Sequence, residues 1–154
     1  MMPTSVRAGQ PIAMVVFNGN CADAMRYYAQ TLSGEIKLMQ FVGETPMADQ
    51  MPTEFADKVM YSQIQFADGT WLYGCDCAPH IPYEGIKAVT LVLEFDTVEE
   101  AEMLFNEFAE GGEVEVPFAP APWAKAFGMV TDKFGVSWAV NGLLPRSGGI
   151  GEAS

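Results

Sequence analysis

The chain has 154 residues, the size of one domain or of two very small ones. Its 20 acidic residues against 8 Lys plus Arg leave a net charge of −12. This balance argues against nucleic-acid and anionic-membrane partners, since both are bound through clustered positive charge. With 49% hydrophobic and 18% charged residues, the chain is predicted to form a buried core. We expect its partner to be a small molecule or a second copy of itself.

Simple patterns in the sequence predict the cellular compartment of the protein and the character of the two ends of the chain. The sequence lacks the apolar run of about 20 residues that a membrane-spanning helix needs, and it does not open with a secretory signal pattern. Three cysteines, an odd number, do not make a disulfide framework. A cytoplasmic protein is predicted. Residues 1–11 and 143–154, rich in Pro, Gly and Ser, are predicted to be a flexible lead-in and a flexible tail.

The first predicted module, residues 12–79, consists of a strand, a helix and three further strands. Apolar residues three and four apart indicate the helix, and Asp68-Gly69 between two β-rich runs indicates a hairpin. Residues 43–57, with two prolines and scattered acids, are predicted to be a long loop. The predicted elements are strand Ala13–Phe17, helix Cys21–Leu32, and strands Ile36–Val42, Lys58–Phe66 and Trp71–Cys75.

The second predicted module, residues 86–142, repeats this order. Asp96 or Thr97 caps its helix, and Gly111-Gly112 ends it. The predicted elements are strand Ala88–Phe95, a helix with an apolar face from Val98 to Phe108, and strands Val114–Phe118, Ala126–Thr131 and Val136–Asn141. Nine carboxylates between Glu94 and Glu115 coincide with this helix and its neighbours, which indicates a solvated helix face.

A nearly constant offset relates the two modules. Ala24 and Tyr28 match Ala101 and Phe105 at 77 residues, and the glycines that follow the two helices, 34 and 112, match at 78. The sequence therefore predicts an α+β protein of two βαβββ modules, each with an amphipathic helix on one sheet face. The eight strands are expected to form one curved mixed sheet around a cavity between the modules, all within a single domain, residues 12–142.

Six segments spread over residues 12–142 carry a family resemblance. They are Phe17–Tyr28, Asp57–Met60, Pro82–Ile86, Glu110–Gly112, Phe127–Trp138 and Asn141. Together they resemble the PhnB-like branch, also called 3-demethylubiquinone-9 3-methyltransferase-like, of the glyoxalase/bleomycin resistance/dioxygenase (vicinal oxygen chelate) superfamily. The resemblance implies the two-module fold and a homodimer, but no particular activity. Methyl transfer itself is not expected, because the turn Asn18-Gly19-Asn20 lacks the Gly-rich pattern of doubly wound cofactor-binding folds.

The resemblance also locates where a superfamily metal would be bound. Metal-dependent members hold an ion with four His, Gln or Glu side chains, one on each of four strands. Counting from the helix start and the hairpin glycine places these positions at Ala13, Tyr73, Thr90 and Ala139. None is a usual ligand, and two have no donor atom. We therefore expect no superfamily-type metal, no cofactor and no lyase or dioxygenase chemistry that depends on that ion.

The ligand-pocket candidates are aromatic and polar residues on or beside the hairpin strands. An apolar concave lining with few polar anchors is typical of a small-molecule pocket. The candidates are Tyr73, Asp76, Trp123, Phe127, Met129, Trp138 and Asn141. Core packing is the favoured alternative for Phe127 and Trp138. The Pro-Ala-Pro-Trp loop favours the pocket for Trp123, and the ligand position favours it for Tyr73.

Catalytic residues are not assigned by the sequence. Asp76, Glu94 and Asp132 are candidates for a lone general base, although Asp132 is more simply explained as closing its hairpin. Three functions follow as hypotheses. The first is a small-molecule binding protein without a superfamily metal. The second is a lyase, isomerase or dioxygenase that uses a displaced metal or a lone carboxylate, and the third is a dimeric structural protein with a filled cavity.

The cysteines and the single histidine allow two further interpretations. His80 with Cys75 and Cys77 could hold an ion, but Cys-x-Cys without a second pair favours a surface histidine. Cys21, at a helix start, would have a lowered thiol pKa if it were exposed. A packing or capping role for Cys21 is the favoured interpretation.

Overall fold

The computed structural model describes residues 9–143, so the predicted lead-in and tail lie largely outside the described residues. The chain divides into two compact units, with the boundary between Tyr83 and Glu84. Each unit has one strand, one helix and three further strands in that order. The prediction of two βαβββ modules is confirmed.

The first unit contains one helix and four strands. Their bounds are β1 Met14–Phe17, α1 Cys21–Thr31, β2 Glu35–Phe41, β3 Val59–Gln65 and β4 Trp71–Asp76. The strand order is β1-β4-β3-β2, with β1 parallel to β4 and the other pairs antiparallel. The segment predicted as a long loop instead includes three short 3₁₀ helices, at Val42–Glu44, Pro46–Gln50 and Thr53–Phe55.

The second unit has the same topology. Its elements are β5 Thr90–Phe95, α2 Val98–Ala109, β6 Glu113–Ala121, β7 Ala124–Thr131 and β8 Ser137–Gly142, with strand order β5-β8-β7-β6. The eight predicted strands are all present and pair as two four-stranded mixed sheets, one in each unit. Strand β6 is longer than predicted and includes Pro117 and Pro120. Because β6 is an edge strand, a residue that cannot donate a ladder hydrogen bond is tolerated there.

Each helix buries one apolar stripe against the sheet of its own unit. Helix α1 buries Cys21, Ala24, Met25 and Tyr28, and α2 buries Ala101, Leu104, Phe105 and Phe108. This is the three-and-four spacing of an amphipathic helix. The ring of Phe17 lies 6.5 Å from that of Tyr28, and the ring of Phe108 lies 4.9 Å from that of Trp138. The sequence repeat therefore marks equivalent core positions in the two units.

Side-chain alternation gives each sheet a helix face, covered by its own helix, and an opposite face that this helix does not cover, which we call the open face. In the second sheet, Trp138 contacts Phe108 of α2, and a Cβ on Gly142 would meet Ala101 of α2. Ala139 and Asn141, which alternate with them, therefore lie on the open face. In the first sheet, a Cβ on Gly74 would meet α1, so its neighbours along β4 lie on the open face.

The surface fits the predicted charge distribution. All nine carboxylates from Glu94 to Glu115 are exposed, as expected for a solvated helix face and its neighbours. Thr97 caps α2, since its hydroxyl accepts from the Glu100 N–H at 3.1 Å and donates to the Glu100 carboxylate at 2.9 Å. Across residues 9–143, none of the helices is long and apolar enough to cross a membrane.

Candidate functional site

The superfamily ligand positions are related by strand register within each sheet. Tyr73 pairs with Met14 on β1, and Ala139 pairs with Val92 on β5. Strands β1 and β5 are thus related by an offset of 78, from Met14 to Val92, one more than the 77 that relates the helices. Ala13 precedes β1, and Thr90 lies two residues before the partner of Ala139. The register therefore places Met14 beside Tyr73 on β4 and Val92 beside Ala139 on β8. The predicted positions Ala13 and Thr90 do not pair with these two residues.

Donor side chains do not converge on these positions. Within residues 9–143, no three His, Cys, Asp or Glu side chains are grouped so that they could hold a metal ion. The side chains that are present there, Tyr73, Ala139, Met14 and Val92, do not form the hard or borderline donor set of a superfamily site.

The open face of the second sheet brings together most of the pocket candidates. We call Trp123, Phe127, Met129, Ala139 and Asn141 the Trp123 face. The register pairs Phe127 with Asn141 and Met129 with Ala139 on adjacent strands. Trp123 lies in the turn between β6 and β7, and its side chain reaches back over β7 and β8. The Trp123 face is therefore a contiguous patch of aromatic, thioether and amide groups.

Two contacts fix the Trp123 side chain. Its indole Nε1–H donates to Asn141 Oδ1 at 3.1 Å, and its ring lies edge-on to Phe127 with centroids 5.0 Å apart. The residue is nevertheless 50% exposed, whereas Asn141 is 7% exposed. The indole is therefore an ordered, half-exposed apolar surface that a buried amide holds in place.

Trp138 lies on the other side of the same sheet. It is buried between β8 and α2 against Phe108, and its Nε1–H donates to Asp132 Oδ2 at 2.8 Å. The structure thus places Trp138 in the core of the second unit, the alternative that the sequence favoured, and apart from the Trp123 face. Phe127, for which core packing was also favoured, is half-buried on the open face.

The open face of the first sheet is also aromatic. The Tyr73 ring lies 5.5 Å from that of Tyr61 and 6.1 Å from that of Trp71, both edge-on. Gln63 donates to the Tyr61 hydroxyl at 3.3 Å. Desolvation, followed by the neighbouring Tyr61, raises the pKa of Tyr73, so its phenol stays protonated at neutral pH. Tyr73 therefore belongs to an aromatic cluster in the first unit and offers a neutral hydroxyl.

The contacts of the Asp76 carboxylate differ from those expected of a residue that anchors a ligand. Its Oδ1 accepts from the backbone N–H groups of Gly19 and Cys21 at 2.9 and 3.0 Å, and its Oδ2 accepts from Val59 N–H at 2.8 Å. The Asn20 side chain does not cap α1. The carboxylate of Asp76, from the end of β4, thus supports the start of α1 and joins it to β3.

The other two candidates for a lone general base, Asp132 and Glu94, lie in different environments. Asp132 is 3% exposed, and its oxygens accept from the N–H groups of Phe134 and Val136 as well as from Trp138. It closes its hairpin, which is the simpler explanation from the sequence. Glu94 is exposed and pairs with Asn141 in the register, so it lies at the border of the Trp123 face.

The cysteines and the histidine lie in contrasting environments. Cys21 is fully buried with its sulfur 3.6 Å from Ser62 Oγ, and burial raises its pKa to about 12. The thiol pKa is therefore raised, where exposure to the helix start would have lowered it, and Cys21 packs in the core. Cys75 and Cys77 are half-buried, and His80 is exposed.

The fold defines the class of protein. Two βαβββ modules, each with a mixed sheet on one helix, form the glyoxalase/bleomycin resistance/dioxygenase fold. A glyoxylase/bleomycin resistance protein/dioxygenase domain from Frankia sp. EAN1pec superposes with a TM-score of 0.61. The two are 10% identical, and the match covers 89% of this chain and 99% of that one, so it shows the fold alone.

Within this class, the model of the family described as 3-demethylubiquinone-9 3-methyltransferase matches residues 10–141, and the chain belongs to that family. Protein YjdN of Escherichia coli (strain K12) is 36% identical over 135 residues, 81% of this chain and 89% of that protein. The crystal structure of protein PA1353 from Pseudomonas aeruginosa is 41% identical, with a TM-score of 0.80 over 87% of this chain and 97% of that one. The resemblance predicted from the sequence is confirmed.

The structure of a putative 3-demethylubiquinone-9 3-methyltransferase, PhnB protein, from Bacillus cereus superposes with a TM-score of 0.72. It is 22% identical, and the match covers 86% of this chain and 98% of that one. The strands of residues 9–143 form two mixed four-stranded sheets, unlike the parallel doubly wound sheet of dinucleotide-type cofactor sites. The family description therefore identifies relatives, and it does not carry methyl transfer to this chain.

Proposed function

We propose that this protein binds a small, largely apolar or aromatic molecule on the Trp123 face, without a superfamily-type metal. The observation that carries the proposal is the half-exposed Trp123 indole, held by Asn141 and Phe127. An aromatic ring that is already ordered loses little conformational entropy when a second ring stacks on it. The buried Asn141 amide accepts the indole N–H and so holds the ring in the orientation that a ligand would meet.

The composition of the face also favours an uncharged or weakly polar ligand. Half-buried Met129 extends the apolar surface along β7, and Val92 on β5, which pairs with the buried Ala139, is 58% exposed. Thioethers adapt to ligands of different shape. Glu94 is the carboxylate at the border of the face, so a bound anion would meet repulsion there.

Trp123→Ala is expected to weaken binding of indole and of 1-naphthol by about tenfold, because one aromatic contact contributes about 0.5–1.5 kcal/mol beyond its buried area. Thermal shift and quenching of tryptophan fluorescence measure the affinity of the two probes. Met103→Ala is the matched control, since Met103 is an exposed apolar residue on α2, 74% exposed. The proposal fails if neither probe binds the wild type, or if the Trp123→Ala variant binds both probes as tightly as the wild type does.

We propose further that the protein is a cytoplasmic homodimer. The family resemblance implies the dimer, and the edge strands β5 and β6 carry the exposed apolar side chains Val92, Val114 and Val116. Edge strands offer unpaired backbone groups to a second copy. All three cysteines are free, which fits a reducing compartment.

Light scattering is expected to give a solution mass of twice the chain mass of 16.8 kDa. A charge on β6 should weaken the dimer, because Val116→Lys would bury an unpaired ammonium in the interface. Met103→Lys, which places the same charge on the exposed surface of α2, is the control. A wild-type mass of 16.8 kDa at all concentrations would exclude the dimer.

A further inference from the structure

The chain contains two Asn-Gly sequences, Asn18-Gly19 and Asn141-Gly142. Asparagine before glycine is prone to deamidation, because glycine has no Cβ to hinder the approach of its backbone nitrogen to the asparagine side chain. The fold places the two asparagines in opposite environments. Asn18 is exposed in the turn between β1 and α1, whereas Asn141 is 7% exposed on β8.

Asn141 is held by Trp123 and by the second sheet. Its Oδ1 accepts from Trp123 Nε1–H at 3.1 Å, and β8 is paired with β5 on one side and with β7 on the other. A Cβ on Gly142 would lie 3.1 Å from Ala101 and from Val98 of α2, so this backbone is tightly packed. Closing a ring between the Gly142 nitrogen and the Asn141 side chain therefore requires β8 to separate from its neighbours, as in unfolding of the second unit.

Asn18 and Gly19 form a turn outside the strands and the helix. Gly19 has a φ of +98°, a conformation that favours glycine. Its N–H donates to Asp76 Oδ1 at 2.9 Å, and the Lys58 ammonium donates to its carbonyl at 3.5 Å. A turn of this kind opens more readily than a central strand. The hydrogen bond to Asp76 thus holds the nitrogen that ring closure at Asn18 requires.

We propose that Asn18 is the site at which the folded protein deamidates, and that the Asp76 carboxylate slows the reaction. Ring closure requires the Gly19 nitrogen to lose its proton as it attacks the Asn18 side chain. The hydrogen bond to Asp76 Oδ1 holds this proton. The carboxylate also places a negative charge beside the nitrogen, which disfavours the development of a second negative charge there.

The reaction needs water and no other co-reactant. The Gly19 nitrogen forms a bond to the side-chain carbonyl carbon of Asn18, and the carbon–nitrogen bond of the Asn18 side-chain amide breaks. The amide nitrogen leaves as ammonia and takes with it the proton from the Gly19 nitrogen. Water then hydrolyses the cyclic succinimide at either of its carbonyl groups, which gives aspartate or isoaspartate at position 18.

Isoaspartate at position 18 is expected to weaken the start of α1. It adds a methylene group to the main chain directly before Gly19, and Asp76 Oδ1 accepts from both the Gly19 and the Cys21 N–H groups. The longer main chain displaces these donors from the carboxylate that supports the helix start. The deamidated fraction, which ion exchange separates by its additional negative charge, is therefore expected to unfold a few degrees below the unmodified protein.

The test is incubation of the native and the guanidinium-unfolded protein at mildly alkaline pH, followed by tryptic digestion and peptide mass spectrometry. Trypsin releases the two Asn-Gly sequences in separate peptides, 8–26 and 134–146. In the unfolded chain, both are expected to deamidate at similar rates. In the native protein, Asn18 should react more slowly than in the unfolded chain, and about tenfold or more faster than Asn141, because only the latter requires a strand to open.

Variants of Asp76 test its role. Asp76→Asn keeps the size of the side chain and removes its charge, so deamidation of Asn18 is expected to accelerate severalfold. Asp76→Glu keeps the charge and is expected to react more slowly than Asp76→Asn. Asp23→Asn, which removes a charge from the first turn of the same helix, should leave the rate unchanged. Circular dichroism shows whether each variant remains folded.

The choice of Asn18 is overturned if native Asn18 and Asn141 deamidate at equal rates, or if native Asn18 stays unmodified while the unfolded chain reacts. The role of Asp76 is overturned if a folded Asp76→Asn variant deamidates at the wild-type rate. Equal rates for Asn18 in the native and the unfolded wild type overturn that role without any variant.

Discussion

Gly112→Ala is expected to lower the free energy of unfolding by about 3 kcal/mol or more, at the upper end for overpacking. Gly112 lies between α2 and β6. A Cβ at this position would be 2.2 Å from the Thr131 carbonyl oxygen and 2.7 Å from the Phe108 carbonyl oxygen. Both atoms belong to backbone that β7 and α2 hold in place, so no side chain can rotate to relieve the clash.

Chemical unfolding followed by circular dichroism measures this effect, with Gly34→Ala and Gly9→Ala for comparison. At Gly34 the nearest atoms are side-chain carbons, Ile64 Cγ2 at 2.6 Å and Phe66 Cδ1 at 2.9 Å, which can shift. We expect a smaller loss there, about 1–2 kcal/mol. A Cβ on Gly9 would meet nothing within 4 Å. A Gly112→Ala variant as stable as Gly9→Ala would contradict the clash.

These glycines also show what the sequence reveals about the fold. The sequence repeat aligns Gly34 with Gly112, and each of them follows a helix where its sheet approaches closely. Both helices begin at the predicted residue and end within one residue of the predicted bounds, because their buried stripes follow regular spacing. Regular periodicity is a local property, and local properties are visible in a sequence.

Strand register is harder to predict from the sequence than helix position, because an error of one residue in the alignment changes it. The helices of the two units are related by an offset of 77, whereas strand register relates Met14 to Val92 at 78. A slip of one residue in a strand moves a side chain to the opposite face. The predicted ligand positions on β4 and β8 both lie on open faces, but Ala13 and Thr90 are displaced from the register partners of those positions.

The roles of the carboxylates could not be predicted, because their partners are distant or depend on the hairpin conformation. The donors to Asp76 come from residues 17, 55 and 57 positions away in the chain. A carboxylate near a strand end is equally consistent with a ligand anchor and with support of a helix start. Only the fold brings Gly19, Cys21 and Val59 to the same side chain.

The two tryptophans of the second unit illustrate the same limit. Trp123 and Trp138 each have an indole N–H that donates to a polar side chain, Asn141 and Asp132 respectively. Their exposed fractions are 50% and 2%. Trp138 is buried because it alternates along β8 with residues of the open face and therefore lies on the helix face. Trp123 is more exposed because it lies in a turn.

Asp132→Asn is expected to lower the free energy of unfolding by about 2–3 kcal/mol, since it leaves a buried donor without an acceptor. Asp132 Oδ1 accepts from the N–H groups of Phe134 and Val136 at 2.8 and 3.1 Å, and Oδ2 accepts from Trp138 Nε1–H at 2.8 Å. If the asparagine keeps its oxygen on the backbone donors, its amide group faces the indole N–H, donor against donor. The opposite rotamer leaves two backbone donors facing an amide.

Removing the indole N–H should restore part of that loss, because it removes the donor that the asparagine cannot satisfy. In a Trp138→Phe background, Asp132→Asn is therefore expected to cost about 1–2 kcal/mol less than in the wild type. A double-mutant cycle by chemical unfolding measures this coupling, and additive losses would contradict the hydrogen-bond argument. The same Trp138→Phe variant should bind indole and 1-naphthol as the wild type does, because Trp138 packs on the helix face of the sheet, on the side opposite to the Trp123 face.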